Sequence, residues 1–284
     1  MNSDRRYIDL HVHTNYSDGT FSPVEVVRYA IEIELTAIAI TDHDCVDGIP
    51  PAMDEAKDRG LEIIPGLELA AEIEDFEIHI IGLMIDWKDP WLKEQLREIR
   101  NARKERMKKM IEKLNNLGIG IKLEQVMALG REEGAVGRLH LARALLEGGY
   151  IHSIRQAFVR FIGRNGPCYE KRMILSPQKA IEMIKRVKGI PIFAHPGNMR
   201  HDEIIPELME YGLMGIEVLH IDHNSNASNH YKQLAQNHGL LLSGGSDCHG
   251  AGKGYPLMGR VEVPYSFLET LKEAQKKEYG VNQQ

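Results

Sequence analysis

Three cysteines in 284 residues, Cys45, Cys168 and Cys248, are too few and too far apart for a disulfide framework or a four-cysteine zinc site. A reducing compartment is the simpler setting. No stretch approaches 18 uninterrupted apolar residues, and the opening MNSDRRYIDLHVHT carries charge without an apolar signal core. Neither a membrane span nor secretion is therefore expected, and the expected location is the cytoplasm. Glycine-rich phosphate loops and dinucleotide or ATP fingerprints are missing. No repeat at a solenoid period and no low-complexity tract occurs, which excludes stacked-repeat arrays.

What is present suits a compact fold. Hydrophobic residues make up 43% and charged residues 27% of the chain, enough for one large domain or two modest ones that bury roughly three quarters of their surface. The formal net charge of −6 is unevenly spread. Residues 97–172 hold 17 Lys and Arg against 8 Asp and Glu, a net +9, which leaves −15 on the remainder. Bound metal would offset part of an acidic excess, and a basic segment beside it would attract anions; a solvated helical surface is the alternative.

Seven short apolar runs carry polar, chemistry-bearing residues: YIDLHVHT (7–14), TAIAITDHD (36–44), LEIIPGLEL (61–69), FEIHIIGLMI (76–85), GIPIFAHPG (189–197), GIEVLH (215–220) and GLLLSGGSDCH (239–249). Helix-length stretches separate most of them. Ser22–Pro23 and Ser176–Pro177 are cap-then-proline starts, Gly60 is a stop, and residues 228–238 supply a further helix. Mostly parallel, buried strands alternating with helices predict an α/β architecture. Polar residues after several different strands favour a barrel with its site on the carboxyl-terminal face over an open sheet. From 87 to 173 the rhythm changes. Leu92, Leu96, Ile99, Met107, Met110 and Leu114 trace a long helix broken at Gly118, and 139–146 and 154–162 suggest two shorter ones. The expected division is a discontinuous barrel, 1–86 and 174–284, around a mainly helical insertion, 87–173.

His11 and His13 stand two apart in an extended segment, so both side chains can face one way. A lone HxH more often serves structural hydrogen bonding. Here Asp18 follows within NYSDG, TDHD adds Asp42, His43 and Asp44, GLE adds Glu68, EIHIIG adds His79, AHP adds His195, and SDCH adds Asp247 and His249. Imidazole and carboxylate without a cysteine cluster suit Zn, Mn or Fe at a hydrolytic site rather than calcium or structural zinc. More than four strong ligands imply more than one ion.

The combination HxH…SDG, TDHD, AHP and SDxH resembles the polymerase and histidinol phosphatase (PHP) family over nearly the whole chain, with an insertion in its middle. The resemblance implies a distorted seven-stranded (β/α)7 barrel and a centre of up to three divalent ions. By motif position His11, His13, Glu68 and Asp247 would surround one ion. Glu68 would bridge to a second held by His79 and His195, and Asp18, His43 and His249 would hold the third. The chain length, the helical insertion and GRLHLARAL look like the branch that removes the 3'-phosphate of 3',5'-bisphosphonucleotides and shortens 5'-phosphorylated RNA from its 5' end. A phosphorylated nucleotide or short RNA is thus the expected partner, with no membrane and no obligate protein partner.

Clustered ions would generate the attacking hydroxide and neutralise phosphoryl oxygens without a serine or cysteine nucleophile. Cys248 is read as structural. Arg138 in VGRLH is the expected phosphate contact, because a guanidinium donates two parallel hydrogen bonds; Arg143 is the alternative and a surface ion pair the plainer reading. His220 is expected to orient phosphate or to donate a proton to the departing oxygen. Asp42 is expected to hold the His43 ring, and Asp44 to serve proton balance or to order its loop. The helix carrying Arg97, Arg100, Arg103, Lys104, Arg106, Lys108 and Lys109 would guide an anionic strand or simply face solvent. Two other functions compete: a phosphatase of another small ester such as histidinol phosphate, and a noncatalytic metal-bearing nucleic-acid module.

Overall fold

The computed structural model describes residues 6–73, 76–131, 134–171, 175–253 and 255–280. Eight strands form one sheet: β1 (Tyr7–Val12), β2 (Ala37–Ile40), β3 (Glu62–Ile73), β4 (Phe76–Leu83), β5 (Ile190–Phe193), β6 (Gly215–His220), β7 (Leu241–Gly245) and β8 (Val263–Pro264), in the order β7-β6-β5-β4-β3-β2-β1-β8. The seven runs seen in the sequence are β1 to β7; the two-residue β8 carries no pattern of its own. The sheet curls into a near-closed barrel. At the carboxyl rim Val12 pairs with Cys248, whose carbonyl accepts from His13 N–H at 3.0 Å. At the other end β8 lies antiparallel on Tyr7 and Ile8. The Asp9 carboxylate pins the seam, accepting from Ser246 N–H at 2.9 Å and His11 N–H at 3.3 Å. At Gly245 a Cβ would collide with His11, so only glycine lets β7 approach β1 this closely.

Of the seven strands expected from the sequence, one departs from the parallel arrangement. β4 runs antiparallel to both β3 and β5, because the two residues between β3 and β4 permit only a hairpin. Its amino-terminal half therefore stands at the end where β1, β2, β3, β5, β6 and β7 finish, which places His79 beside Ala70 of β3.

Helices α1 (Pro23–Glu32) and α2 (Ile49–Ala56) cover one flank. Ser22 and Glu25 form a capping box at the start of α1, with Pro23 in the first turn. The β2 side chains alternate between two cores. Ile38 and Ile40 join the outer layer with Val26, Val27 and Ile49, while Ala37 and Ala39 face inward with Ile8, Ile64, Leu83 and Ile190.

The helical segment comprises α3 (Pro90–Asn116), α4 (Leu123–Met127), α5 (Arg138–Glu147) and α6 (Ile154–Ala157), the last running into a π-helical turn, Phe158–Ile162. Leu92 and Leu96 pack with the barrel, whereas Met107, Met110, Leu114, Val126, Leu141, Leu145 and Ile162 form a core of their own. At about 1.5 Å per residue, α3 spans roughly 40 Å and ties the two together. The expected boundary at 173/174 lies outside the described residues. Next come α7 (Pro177–Arg186), capped by Ser176, then α8 (Ile205–Glu210), α9 (Ser225–His238) and α10 (Tyr265–Tyr279). Leu268 and Leu271 of α10 plug the end of the barrel opposite the clustered histidines.

Candidate metal centre

Glu68, 1% exposed, is the hub. Its Oε2 lies 3.4 Å from His11 Nε2, 3.2 Å from His13 Nε2 and 3.1 Å from His43 Nδ1. Its Oε1 lies 2.7 Å from His79 Nδ1 and 3.2 Å from His195 Nε2. Each oxygen of one carboxylate thus faces a separate set of imidazoles. Asp247 Oδ1 stands 3.4 Å from His11 Nε2 and 3.1 Å from His13 Nε2. Asp18 completes a further group, 3.2 Å from His249 Nε2 and 3.9 Å from His43 Nε2. His43 lies between two groups, one ring nitrogen toward Glu68 and the other toward Asp18.

The donor set fits metal. His11 Nε2, His13 Nε2, His43 Nδ1 and Asp18 Oδ1 are buried without a hydrogen-bond partner, a costly state unless something accepts their lone pairs. Ligands on a tetrahedral ion at about 2.1 Å stand about 3.4 Å apart, close to the separations around Glu68. The described residues offer nitrogen and oxygen donors for up to three divalent ions in overlapping groups. Burial opposes ionisation of the three carboxylates, yet the imidazoles outweigh it. His249 and His43 hold Asp18 well below the usual range, His79 and His43 hold Glu68 there, and His249 and His11 hold Asp247.

Two β-bulges aim these side chains. The register of β1 slips between Asp9 and Val12, and that of β6 between Glu217 and Leu219. The second slip turns both Glu217 and His220 toward the centre, although three residues apart they would face opposite ways in a regular strand. His195, Asp247 and Asp44 all adopt left-handed backbone, with φ of 30°, 51° and 47°, a conformation that costs about 1–3 kcal/mol each and concentrates at functional sites.

Several residues that the sequence reading passed over fix the rings. Glu217, fully buried, accepts from His11 Nδ1–H at 3.1 Å and from the His195 backbone N–H at 2.7 Å, leaving His11 Nε2 free to face Glu68. Glu77 Oε1 holds His79 Nε2 at 3.2 Å, which turns His79 Nδ1 inward. A glutamate inside the apolar run GIEVLH was the available signal for the first.

Asp42 does not hold the His43 ring. Its carboxylate accepts from Thr14 N–H, the Thr14 hydroxyl and the Ser17 hydroxyl, and Ser17 Oγ meets His13 Nδ1 at 3.3 Å, so Asp42 orients His13 through Ser17. Asp44 forms a buried ion pair with Arg103, and its carbonyl accepts from Arg100 at 3.0 Å; these contacts tie α3 to the barrel and order the Asp44 loop. The basic helix is largely spent in this way. Arg106 donates to the Glu170 carbonyl, and Lys109 and Lys113 pair with the Glu170 carboxylate. Cys248 packs in the outer core.

His220 Nδ1 accepts from Asp222 N–H at 3.2 Å, so the ring proton sits on Nε2, 4.0 Å from Asp247 Oδ2. Arg138 lies 3.4 Å from Glu77 Oε2, flanked by Phe158 and Tyr169 at 5.6 and 5.8 Å. Arg143 Nη2 is buried with no hydrogen-bond partner.

A PHP domain matches residues 9–119. The chain is 32% identical to the 3',5'-nucleoside bisphosphate phosphatase of Chromobacterium violaceum, over 90% of this chain and 91% of that protein. The chain belongs to the PHP family. It is likewise 34% identical to the 5'-3' exoribonuclease Rnm of Escherichia coli K12, over 87% of each chain. A solved structure of an amidohydrolase from Chromobacterium violaceum, with bound sulfate and no metal, superposes with a TM-score of 0.86 at 30% identity, covering 95% of this chain and 96% of that one. With its PHP fold and clustered ligands, the protein is a metal-dependent phosphoesterase. Among the described residues no helix is long and apolar enough to cross a membrane.

Proposed function

We propose that this phosphoesterase cleaves the bond between the 3'-oxygen of a 5'-phosphorylated nucleoside and the phosphorus attached to it. Water adds its oxygen to phosphorus, the P–O3' bond breaks, and the departing oxygen takes a proton. From a 3',5'-bisphosphonucleotide the products are phosphate and a nucleoside 5'-phosphate. From a short 5'-phosphorylated RNA they are a nucleoside 5'-phosphate and an RNA one unit shorter, again 5'-phosphorylated. One chemistry thereby unites the two activities named for the relatives.

The observation that carries this reading is a buried carboxylate ringed by five imidazoles beneath a helical segment whose Arg143 has a buried, unmet donor. We assign His11, His13, Glu68 and Asp247 to one ion, Glu68, His79 and His195 to a second, and Asp18, His43 and His249 to a third. Such ions, when bound, supply activated water and neutralise phosphoryl charge. His220 donates its Nε2–H to a phosphoryl oxygen. The segment 87–173 serves as a cap, and Arg143 with Arg138 binds the 5'-phosphate; the rings beside Arg138 and the Glu77 carboxylate preorganise its fork.

The test compares metal-loaded wild type, Arg143→Ala, Arg138→Ala and Arg138→Lys. Substrates are a 3',5'-bisphosphonucleotide, the nucleoside 3'-monophosphate, a short 5'-phosphorylated RNA and histidinol phosphate. Wild type should prefer the 5'-phosphorylated substrates, and each alanine variant should lose about tenfold or more in kcat/KM on them alone, the worth of a charged hydrogen bond; lysine should restore only part. A wild-type preference for histidinol phosphate would replace this reading with a small-ester phosphatase.

A further inference from the structure

A cleft of about 380 Å³ opens where β6 meets the first turns of α9 and is rimmed by residues 260–262. His220 closes its inner end, and the fully buried ring of that residue stands 4.0 Å from Asp247 Oδ2 behind it. Half-buried Lys232 and exposed Arg260 line it, and neither has an ion pair among the described residues. Ser225, Ser228 and Asn229 add hydrogen-bonding groups. The single acidic side chain on the lining, Glu262, accepts the Tyr7 hydroxyl at 3.0 Å. A second hollow, about 640 Å³, shares Leu219, Lys232 and Glu262 with the first and leads on to Tyr265.

Resting on the RNA reading above, we propose that this cleft is the subsite for the nucleotide that follows the scissile phosphate. A phosphodiester has two ester arms. The O3' arm leads to the nucleoside whose 5'-phosphate the cap arginines hold, on the β4 side where Arg138 meets Glu77. The O5' arm must leave by another route, and the cleft on the β6 side offers one with unpaired cations for a phosphate and polar groups for a ribose or base. A bisphosphonucleotide has no second arm and leaves the cleft unused.

The double variant Lys232→Ala with Arg260→Ala tests this against wild type. Metal-loaded protein is assayed on a bisphosphonucleotide and on 5'-phosphorylated di- and tetranucleotides across a salt series, and binding of a labelled tetranucleotide is followed by fluorescence anisotropy. The expected result is KM for the oligonucleotides raised about tenfold, weaker tetranucleotide binding, a shallower salt dependence on RNA, and unchanged turnover of the bisphosphonucleotide. Unchanged RNA kinetics, or equal losses on both substrates, would overturn the subsite while leaving the reaction intact. A wild type that hydrolyses bisphosphonucleotide but no RNA would overturn the RNA reading and the subsite together.

Discussion

Replacing Glu217 with glutamine changes one atom at the point where two candidate ligands are held. The carboxylate takes the His11 Nδ1–H at 3.1 Å and the His195 N–H at 2.7 Å with no solvent exposure. In Glu217→Ala both donors lose their acceptor. Each buried donor left unpaired costs about 1–3 kcal/mol, so the pair costs about 2–6 kcal/mol against a total stability of about 5–15 kcal/mol. That variant confounds unfolding with loss of metal. Glu217→Gln keeps the volume and one acceptor oxygen but turns an amide N–H toward one of the two donors, so either His11 loses its fixed tautomer or His195 its left-handed backbone. Disturbing such an outer contact typically lowers metal affinity about 10–100-fold. Equilibrium dialysis of the metal-free protein against manganese, read by elemental analysis, measures this directly, with circular dichroism as the control for fold. Wild-type metal affinity in a folded Glu217→Gln protein would refute the positioning argument.

Three further outcomes are expected. His79→Ala should lower metal content and hydrolysis together while leaving circular dichroism unchanged; full metal content would remove His79 from the ligand set. Arg103→Met should break the buried pair with Asp44 at a cost of about 3–5 kcal/mol in urea unfolding, with turnover per folded, loaded molecule retained; lost turnover at full stability would instead favour a catalytic role for Asp44. Burial pushes His140, 2% exposed, down to about 4 against an opposing effect of Asp18. Between about pH 6.5 and about pH 4 the unfolded chain therefore binds a proton that the folded chain refuses. The stability from neutral His140 is complete above about pH 6.5 and is lost as pH falls toward about 4, by up to about 3 kcal/mol. Urea unfolding of metal-free wild type and His140→Gln across that range checks it, and parallel curves would contradict it.

Residue chemistry in the sequence revealed strands and candidate ligands where buried strands read as apolar runs that stop at polar residues. Ile38 and Ile40 ending at Thr41-Asp42-His43 are one instance, and the cap-proline pairs at Ser22 and Ser176 marked helix starts for an equally local reason. The direction of β4 is not a property of its own residues. It follows from the length of the connection to β3, which is too short for a crossover, and that reversal is what gives a histidine early in a strand the same end of the barrel as histidines late in theirs. Charge was a poorer guide. Arg103 and Arg106 contribute to the +9 exactly as Lys104 does, and only tertiary contacts separate cations consumed by Asp44 and Glu170 from those still open to a ligand.

The bulges lie beyond any local reading. Alternation places Glu217 and His220 on opposite faces of β6, which makes a glutamate in GIEVLH look like a stray polar residue and hides its link to His11. The slip between Glu217 and Leu219 depends on β7 as the pairing partner, and β7 in turn is held against β1 by the Asp9 carboxylate and the bare Gly245. The orientation of His11 is therefore set by closure of the barrel seam, through Glu217 on a strand that is not its neighbour. Ligand identity is local chemistry, whereas ligand direction is a consequence of the closed sheet.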